Sequence, residues 1–357
     1  MAVNGSVNVV VVGLGYWGPN LARAVATVRG GGLYGICDTD AARIERFARA
    51  YPGARTYATL DDVLADDDAH AIVLSTPVDS HFGLARRILS AGRHVLVEKP
   101  LARSSEECRT LIDLARVQGV VLMVGHVFLF NAAVRKVRDY IDSGELGDIL
   151  YAYSQRLNLG KVRTDVNALW NFAPHDLSIL SYWLGAGPER IAARGYSYVQ
   201  PGIEDVVFVT ADFPGNIGAN IHISWLDPQK VRLMTVVGSR KMVVYDDTNA
   251  DARVVVYDKG VDSVPATGLG TFETFGQFQL LHRAGDVLIP AVDFTEPLLL
   301  ETQHFVDCIR DGTRPLTDGE SGLAVVRALE AAQRSLDAQG VPVMVETEAT
   351  AAPLGSA

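Results

Sequence analysis

Cysteine is scarce in this sequence. Only Cys37, Cys108 and Cys308 occur in 357 residues, far apart and odd in number. No CxxC or Cys/His spacing points to a metal, so no metal site is expected. A disulfide framework is not expected either, and a reducing, cytoplasmic setting fits. Basic residues are outnumbered: 32 Lys and Arg face 42 Asp and Glu, a formal charge of −10. That argues against a nucleic-acid surface, which needs clustered cations to replace counterions. It leaves room for a local basic pocket. Long apolar runs are missing as well. The N-terminal one, residues 9–14, is far too short for a membrane span and ends in glycines. The same end lacks the basic patch, apolar stretch and cleavage site of a signal peptide. Neither a nucleic-acid nor a membrane partner is expected, and there is no internal repeat or low-complexity block.

What is present is an ordinary globular composition, 48% apolar and 21% charged. The length exceeds the roughly 250–300 residues at which single cores split, so two domains are expected. In the first third, apolar runs (7–12, 33–37, 71–75, 94–97, 120–125) alternate with helical patterns (19–28, 39–50, 80–91, 104–118). Such alternation implies βαβ units and a parallel sheet. The runs show little polar alternation, as strands covered on both faces do.

The pattern changes after about residue 124. A helix over 132–143 precedes segments with a period of two: 150–157, 190–198, 206–213, 217–225, 231–238, 241–246 and 254–258. These predict a large, mainly antiparallel sheet with one wetter face. Helices over 297–311 and 320–339 close the chain, and the tail 347–357 reads as frayed. The expected architecture is α/β. A Rossmann domain over 1–124 is followed by an α+β substrate-binding and oligomerisation domain over 125–357.

The segment VVVVGLGYWG places Gly13, Gly15 and Gly18 in a GxGxxG pattern at the first strand-to-helix turn. The three glycines allow a tight turn, close approach of backbone to a pyrophosphate, and close helix–strand packing. Free N–H groups at the helix start then hold the phosphates. Asp38 follows twenty residues after Gly18, at the end of the second strand. There a carboxylate hydrogen-bonds the adenosine ribose. Its charge repels a 2′-phosphate, and no arginine follows before Arg43, so NAD is expected over NADP. The structural alternatives are a plain glycine turn and a surface aspartate.

A strand over 94–97 runs into Glu98-Lys99-Pro100, and Pro100 bars Lys99 from helical geometry. Lys99 therefore lies at the carboxyl end of a parallel strand, where open α/β sheets bind ligands. With Ser75-Thr76-Pro77 and His81 between it and the glycine turn, the chain resembles the Gfo/Idh/MocA family across nearly its whole length. The resemblance implies an NAD-dependent oxidoreductase and a second domain whose open sheet supports a homodimer or homotetramer. It places Lys99 beside the nicotinamide and the reacting hydroxyl. The expected cofactor contacts are Gly13, Gly15, Tyr16, Trp17, Gly18 and Asp38, with Ser75, Thr76, Pro77, His81, Glu98 and Lys99.

In the segment Trp170 to Asp176, Pro174 suits a helix's first turn. His175 then lies near the positive helix end, which favours the neutral imidazole that a general base needs. The family has a histidine here, commonly preceded four residues earlier by an aspartate. His175 matches the histidine, whereas Asn171 stands at the aspartate's place. Asn171 can orient the ring across one helix turn but supplies no charge. The run Arg156, Asn158, Lys161 and Arg163 is rich in groups that suit a diphosphate or a carboxylate. Alternation puts Arg156 and Asn158 on one strand face. His126 and Asn131, after the last parallel strand, are further pocket candidates.

The stretch from Arg156 to His175 resembles family members that act on nucleotide sugars, including those that oxidise C3 of UDP-N-acetylglucosamine. The expectation is a dehydrogenase acting on the CH–OH of a sugar or nucleotide sugar. A free-sugar or inositol dehydrogenase, a deoxysugar 3-ketoreductase and a non-catalytic NAD-binding regulator are the alternatives. Retention of both Lys99 and His175 argues against the regulator, and Asp38 against an NADPH-dependent ketoreductase.

Overall fold

A computed structural model describes residues 5–160, 162–261 and 282–346. The chain divides into two compact units. The first takes residues 1–131 and 294–330, and the second 132–293 and 331–357. The boundary at 124/125 leaves out this return of residues 294–330 to the first unit. Lys161 and the tail 347–357 lie outside the described residues.

The first unit opens with β1 (Val7–Val12), α1 (Gly18–Val25), β2 (Gly31–Cys37), α2 (Ala41–Ala50), β3 (Arg55–Tyr57) and α3 (Leu60–Leu64). It continues with β4 (Ala71–Leu74), α4 (Val78–Ser90), β5 (His94–Glu98), α5 (Ser105–Gln118), β6 (Leu122–Gly125) and a 3₁₀ turn, Val127–Phe130. Six parallel strands lie in the order β3-β2-β1-β4-β5-β6. This is a doubly wound Rossmann sheet, whose order reverses beside β1. β1 shows why apolar blocks become its central strands: Val9, Val10, Val11 and Val12 alternate between two cores, so both faces are covered. The helices begin where side chains cap free N–H groups. Asp40 accepts from Ala42 and Arg43 at α2, and Ser104 accepts from Glu107 at α5. α5 ends at Gly119 in the left-handed region. The short elements β3 and α3 have no counterpart in the sequence expectation, because three and five residues carry no period. The Cys37, Cys108 and Cys308 thiols are all free and buried.

The second unit comprises α6 (Ala132–Asp142), β7 (Ile149–Leu157), α7 (Ala168–Leu184), β8 (Arg190–Tyr196), β9 (Val206–Phe213) and β10 (Ile217–Ser224). β11 (Val231–Gly238), β12 (Met242–Asp246), β13 (Val254–Val261) and β14 (His282–Leu288) follow. α8 (Pro297–Asp311) belongs to the first unit, α9 (Gly319–Asp337) comes next, and β15 (Val343–Met344) ends the described chain. The nine strands run β14-β13-β12-β11-β7-β10-β9-β8-β15. Only β7 and β10 pair in parallel; the other pairs are antiparallel. Alternation along β9 buries Val207, Val209, Ala211 and Phe213 and exposes Phe208 and Thr210. The exposed face is aromatic: Phe208 stacks on His222 with centroids 4.4 Å apart, and Tyr196 stacks on Tyr198 at 5.9 Å. No helix of the described residues is long and apolar enough to cross a membrane.

One helix departs from expectation. α7 begins at Ala168, six residues before Pro174, with Asn167 as its cap accepting from Trp170 N. Pro174 therefore lies inside the helix, where it withholds one N–H from the ladder. His175 sits in the third turn rather than at the start, so the helix end's field does not reach it.

Candidate active site

The glycine turn of the first unit is shaped by what surrounds each glycine. Gly13 has φ +94°, and a Cβ there would stand 2.5 Å from the Ser75 carbonyl oxygen. A Cβ on Gly18 would stand 2.3 Å from the Gly13 carbonyl oxygen. Neither position admits a side chain. Gly15 differs: the nearest atom to its Cβ position is Arg43 Nη1 at 3.9 Å, so its backbone faces open space. Among the described residues, no side chain caps the start of α1. Pro19 carries no N–H, and Asn20 N and Leu21 N donate to the Trp17 carbonyl at 3.0 and 3.3 Å, so the open backbone for a pyrophosphate is that of the turn itself. Tyr16 projects from the turn almost fully exposed.

Asp38 closes the turn from the other side. Its Oδ2 accepts from Leu14 N at 2.6 Å and its Oδ1 from Asp40 N at 2.9 Å. The carboxylate thus sets the turn from both of its oxygens. Arg43, the first arginine after Asp38, comes to 3.5 Å from Asp38 and 3.2 Å from Asp40. Two carboxylates offset its charge, which weakens its claim on a 2′-phosphate. The residues therefore fit NAD: an open backbone at Gly15 and an anchored carboxylate at Asp38.

His81 is not a surface contact for the cofactor. It is 1% exposed, and its Nδ1 and Nε2 lie 2.9 Å from the Pro100 and Thr76 carbonyl oxygens. Burial holds its pKa down against the pull of those carbonyls. A neutral ring donates to one of them and packs between the Ser75-Thr76-Pro77 loop and the Glu98-Lys99-Pro100 loop. The Lys99–Pro100 peptide is cis.

Trp17 makes a second tie of this kind. Its side chain hydrogen-bonds the Glu98 carboxyl, and its ring packs partly buried on the core. Glu98 Oε2 also accepts from Lys99 N at 3.2 Å. Burial pushes the Glu98 carboxyl up to about 7, against the opposing pull of the Lys99 charge. Trp17, His81 and Glu98, expected as cofactor contacts, together fix the loop that carries Lys99.

His126 is 1% exposed, and among the described residues neither ring nitrogen has a hydrogen-bond partner. Burial, then the charge of Lys99, pushes it down to about 3. It is a buried neutral ring, not the lining of an open pocket, and Asn131 is 2% exposed. Sequence reasoning missed Glu301 on α8. It is 0% exposed, and burial, then the Glu98 charge, holds its carboxyl well above the usual range. The signal was present: Leu298, Glu301, Thr302 and Phe305 form one apolar stripe with a carboxyl inside it.

In the second unit, Asn171 and His175 lie one turn apart on α7, both partly buried. Behind them runs a buried ionic network. Arg156 Nε donates to Asp176 Oδ2 at 2.6 Å, Arg156 Nη2 to Oδ1 at 3.3 Å, and Ser154 Oγ to Oδ1 at 2.6 Å. Arg156, expected to face substrate, is instead buried and committed to Asp176, because an unpaired guanidinium there would be costly. Asp176 is thus the second residue that sequence reasoning undervalued. Asn158 follows the end of β7, where its N–H donates to the Ser224 carbonyl at 3.1 Å. Arg163 pairs with the exposed Asp165.

Comparison with known proteins adds to this geometry. Residues 7–126 match the model of an oxidoreductase family with an NAD-binding Rossmann fold. Residues 134–244 match the Gfo/Idh/MocA C-terminal domain. The chain is 27% identical to an oxidoreductase of Streptococcus pneumoniae, over 57% of this chain and 58% of that protein's length. It is 29% identical to the UDP-N-acetylglucosamine 3-dehydrogenase of Acidithiobacillus ferrooxidans, over 71% of this chain and 78% of that one. The solved structure of GenD2 from gentamicin A biosynthesis in complex with NAD superposes with a TM-score of 0.79. The identity there is 25%, covering 97% of this chain and 98% of the other.

Proposed function

The chain belongs to the Gfo/Idh/MocA family of NAD-dependent oxidoreductases, and from that premise we propose that it oxidises a secondary hydroxyl of a nucleotide sugar, at C3 of a UDP-N-acetylglucosamine-like substrate. The observation that carries the chemistry is Lys99. It stands at the end of β5, with the Glu98 side chain tied to the glycine turn through Trp17 and the His81 ring set between the Thr76 and Pro100 carbonyls. Support for the substrate comes from the relative that bears this activity, and from the cationic run that includes Lys161 and Arg163.

In this reading Gly13, Gly15 and Gly18 seat the cofactor's pyrophosphate, and Asp38 takes its ribose. When bound, NAD accepts the hydride from the alcohol carbon, or returns it in the reverse direction. His175 removes the hydroxyl proton as a general base. Lys99 stabilises the negative charge that develops on the same oxygen. Asn171, one helix turn before His175, orients the ring. The exposed aromatic face around Phe208 and Tyr196 serves self-association, as a contiguous apolar patch does.

The test is NADH formation, followed by absorbance, with NAD and a panel of substrates. UDP-N-acetylglucosamine, free N-acetylglucosamine and inositol isomers form the panel. The proposal expects turnover with the nucleotide sugar at least about tenfold above the others, since loss of a bound diphosphate removes several charge-assisted hydrogen bonds. Preference for inositol assigns the chain to free cyclitols instead. Silence across the whole panel returns the regulator reading.

A further inference from the structure

Residues 162–167 of the second unit form no helix or strand, so their place is set by what bonds them from outside. A set of such bonds comes from the loop between β8 and β9. Gln200 Nε2 donates to the Arg163 carbonyl. Asn167 Nδ2 donates to Glu204 Oε2 at 2.8 Å, and Ala168 N donates to the Glu204 carbonyl at 2.9 Å. One loop thus holds the segment at Arg163 and again at the cap of α7, the helix that carries Asn171 and His175.

The loop is itself pinned by one buried side chain. Asp205 is 0% exposed. Its Oδ2 accepts from Tyr198 N at 2.7 Å and from Val199 N at 2.8 Å, and its own N–H donates to the Tyr196 carbonyl at 2.8 Å. Trp225 N donates to the Asp205 carbonyl at 3.0 Å, which fastens the loop to the end of β10. Tyr198 and Val199 turn their side chains to solvent, so burial of apolar surface does not fix them; the carboxylate does. Within the held segment, the Arg163 guanidinium pairs with Asp165. An anionic substrate must compete with Asp165 for it, so affinity depends on where the backbone holds the two charges.

We propose that Gln200 and Asp205 are positioning residues for the substrate: Asp205 shapes the 197–204 loop, and Gln200 carries that shape to the Arg163 carbonyl, so that together they set the affinity for the anionic part of a nucleotide sugar. The proposal rests on the reading of Arg163 as a group that meets the substrate's diphosphate. A loop bears function when a rigid scaffold fixes it, and here the scaffold is the ends of β8, β9 and β10. Gln200 acts through the segment's backbone, so it governs binding and leaves the hydride step alone.

The first measurement needs no substrate: hydrogen exchange of the full-length protein, read by mass spectrometry. Gln200→Ala removes one hydrogen bond and should speed exchange in peptides spanning 162–167 about fivefold, with the melting temperature and the exchange of the first unit unchanged. With UDP-N-acetylglucosamine it should raise the KM for the nucleotide sugar about fivefold, while kcat and the KM for NAD stay within about twofold. Asp205→Ala should raise the nucleotide-sugar KM about tenfold or more. Asp205→Asn keeps an acceptor oxygen for the two N–H groups and should return that KM to within about threefold of the parent. Should Asp205→Ala fail to fold, Gln200→Ala and Asp205→Asn carry the test. Unchanged exchange in Gln200→Ala overturns the proposal, as does a loss confined to kcat or shared equally by sugar and NAD. If the parent turns over no nucleotide sugar, the substrate reading fails separately, and the exchange result still decides whether Gln200 holds the segment.

Discussion

The two units hold their functional groups by different means. In the first, backbone does most of the holding. Gly13 and Gly18 pack against carbonyls, Asp38 grips Leu14 N, and His81 reaches two carbonyl oxygens from one ring. In the second, side chains hold side chains: Arg156, Ser154 and Asp176 form a buried network next to His175. A site held by backbone tolerates few residue types at fixed spacings, so it leaves a pattern in the sequence. A site held by side-chain pairs leaves only its charges, and their partners are set by strand register.

The sharpest way to break this comparison is at the reacting groups. Lys99→Ala should lower turnover by about 10³-fold, the effect of removing one preorganised donor from the reacting oxygen. NAD affinity, followed by fluorescence, should change little, because the glycine turn and Asp38 do not depend on the ammonium. A large loss of NAD affinity in Lys99→Ala would mean that the two parts of the first unit are one device.

The second unit answers in stability. Asp176→Asn should cost about 3–5 kcal/mol in urea denaturation, because it strands the buried Arg156 guanidinium. Arg156→Met should cost less than Asp176→Asn, since it removes a charge and fills the space. Equal stability of Asp176→Asn and the parent would show that water screens the pair and that the network holds nothing. His175→Asn, by contrast, should leave stability within about 1 kcal/mol and lower turnover by at least about 10²-fold, the usual contribution of a general base. If instead His175→Asn unfolds as readily as Asp176→Asn, the histidine belongs to the network and not to the chemistry.

Legibility followed the same division. The valines of β1 announced a strand covered on both faces, and the glycines after it announced the turn. Both are local properties, and the structure keeps them where the spacing put them. The alternation of β9 announced its buried face equally well. The start of α7 was misread because Pro174 is a stronger local signal than Asn167, yet tertiary packing of Leu169, Ala173 and Leu177 carries the helix through the proline. Arg156 looked like a substrate contact because a sequence shows a cation without its neighbour. Asp176 is twenty residues away, and only the packing of α7 on the strands makes them a pair. Glu301 was legible in principle, as a carboxyl in an apolar stripe, but its complete burial is set by packing that the stripe alone does not show.

The smallest effect tests the best-read residue. Asp38 anchors Leu14 N and Asp40 N and, on the proposed reading, also excludes a 2′-phosphate; Asp38→Asn separates these two duties in part. The amide keeps one acceptor for the turn and removes the charge. It also frees Arg43 from one of its two carboxylates. A charge pair near a surface is worth on the order of 1 kcal/mol or somewhat more, so the NADP-to-NAD ratio of kcat/KM should rise by about tenfold. The comparison to make is that ratio, not NAD affinity alone, because a weakened turn lowers both cofactors together. An unchanged ratio would place the selectivity in the closed shape of the turn, with the carboxylate serving only to hold the backbone.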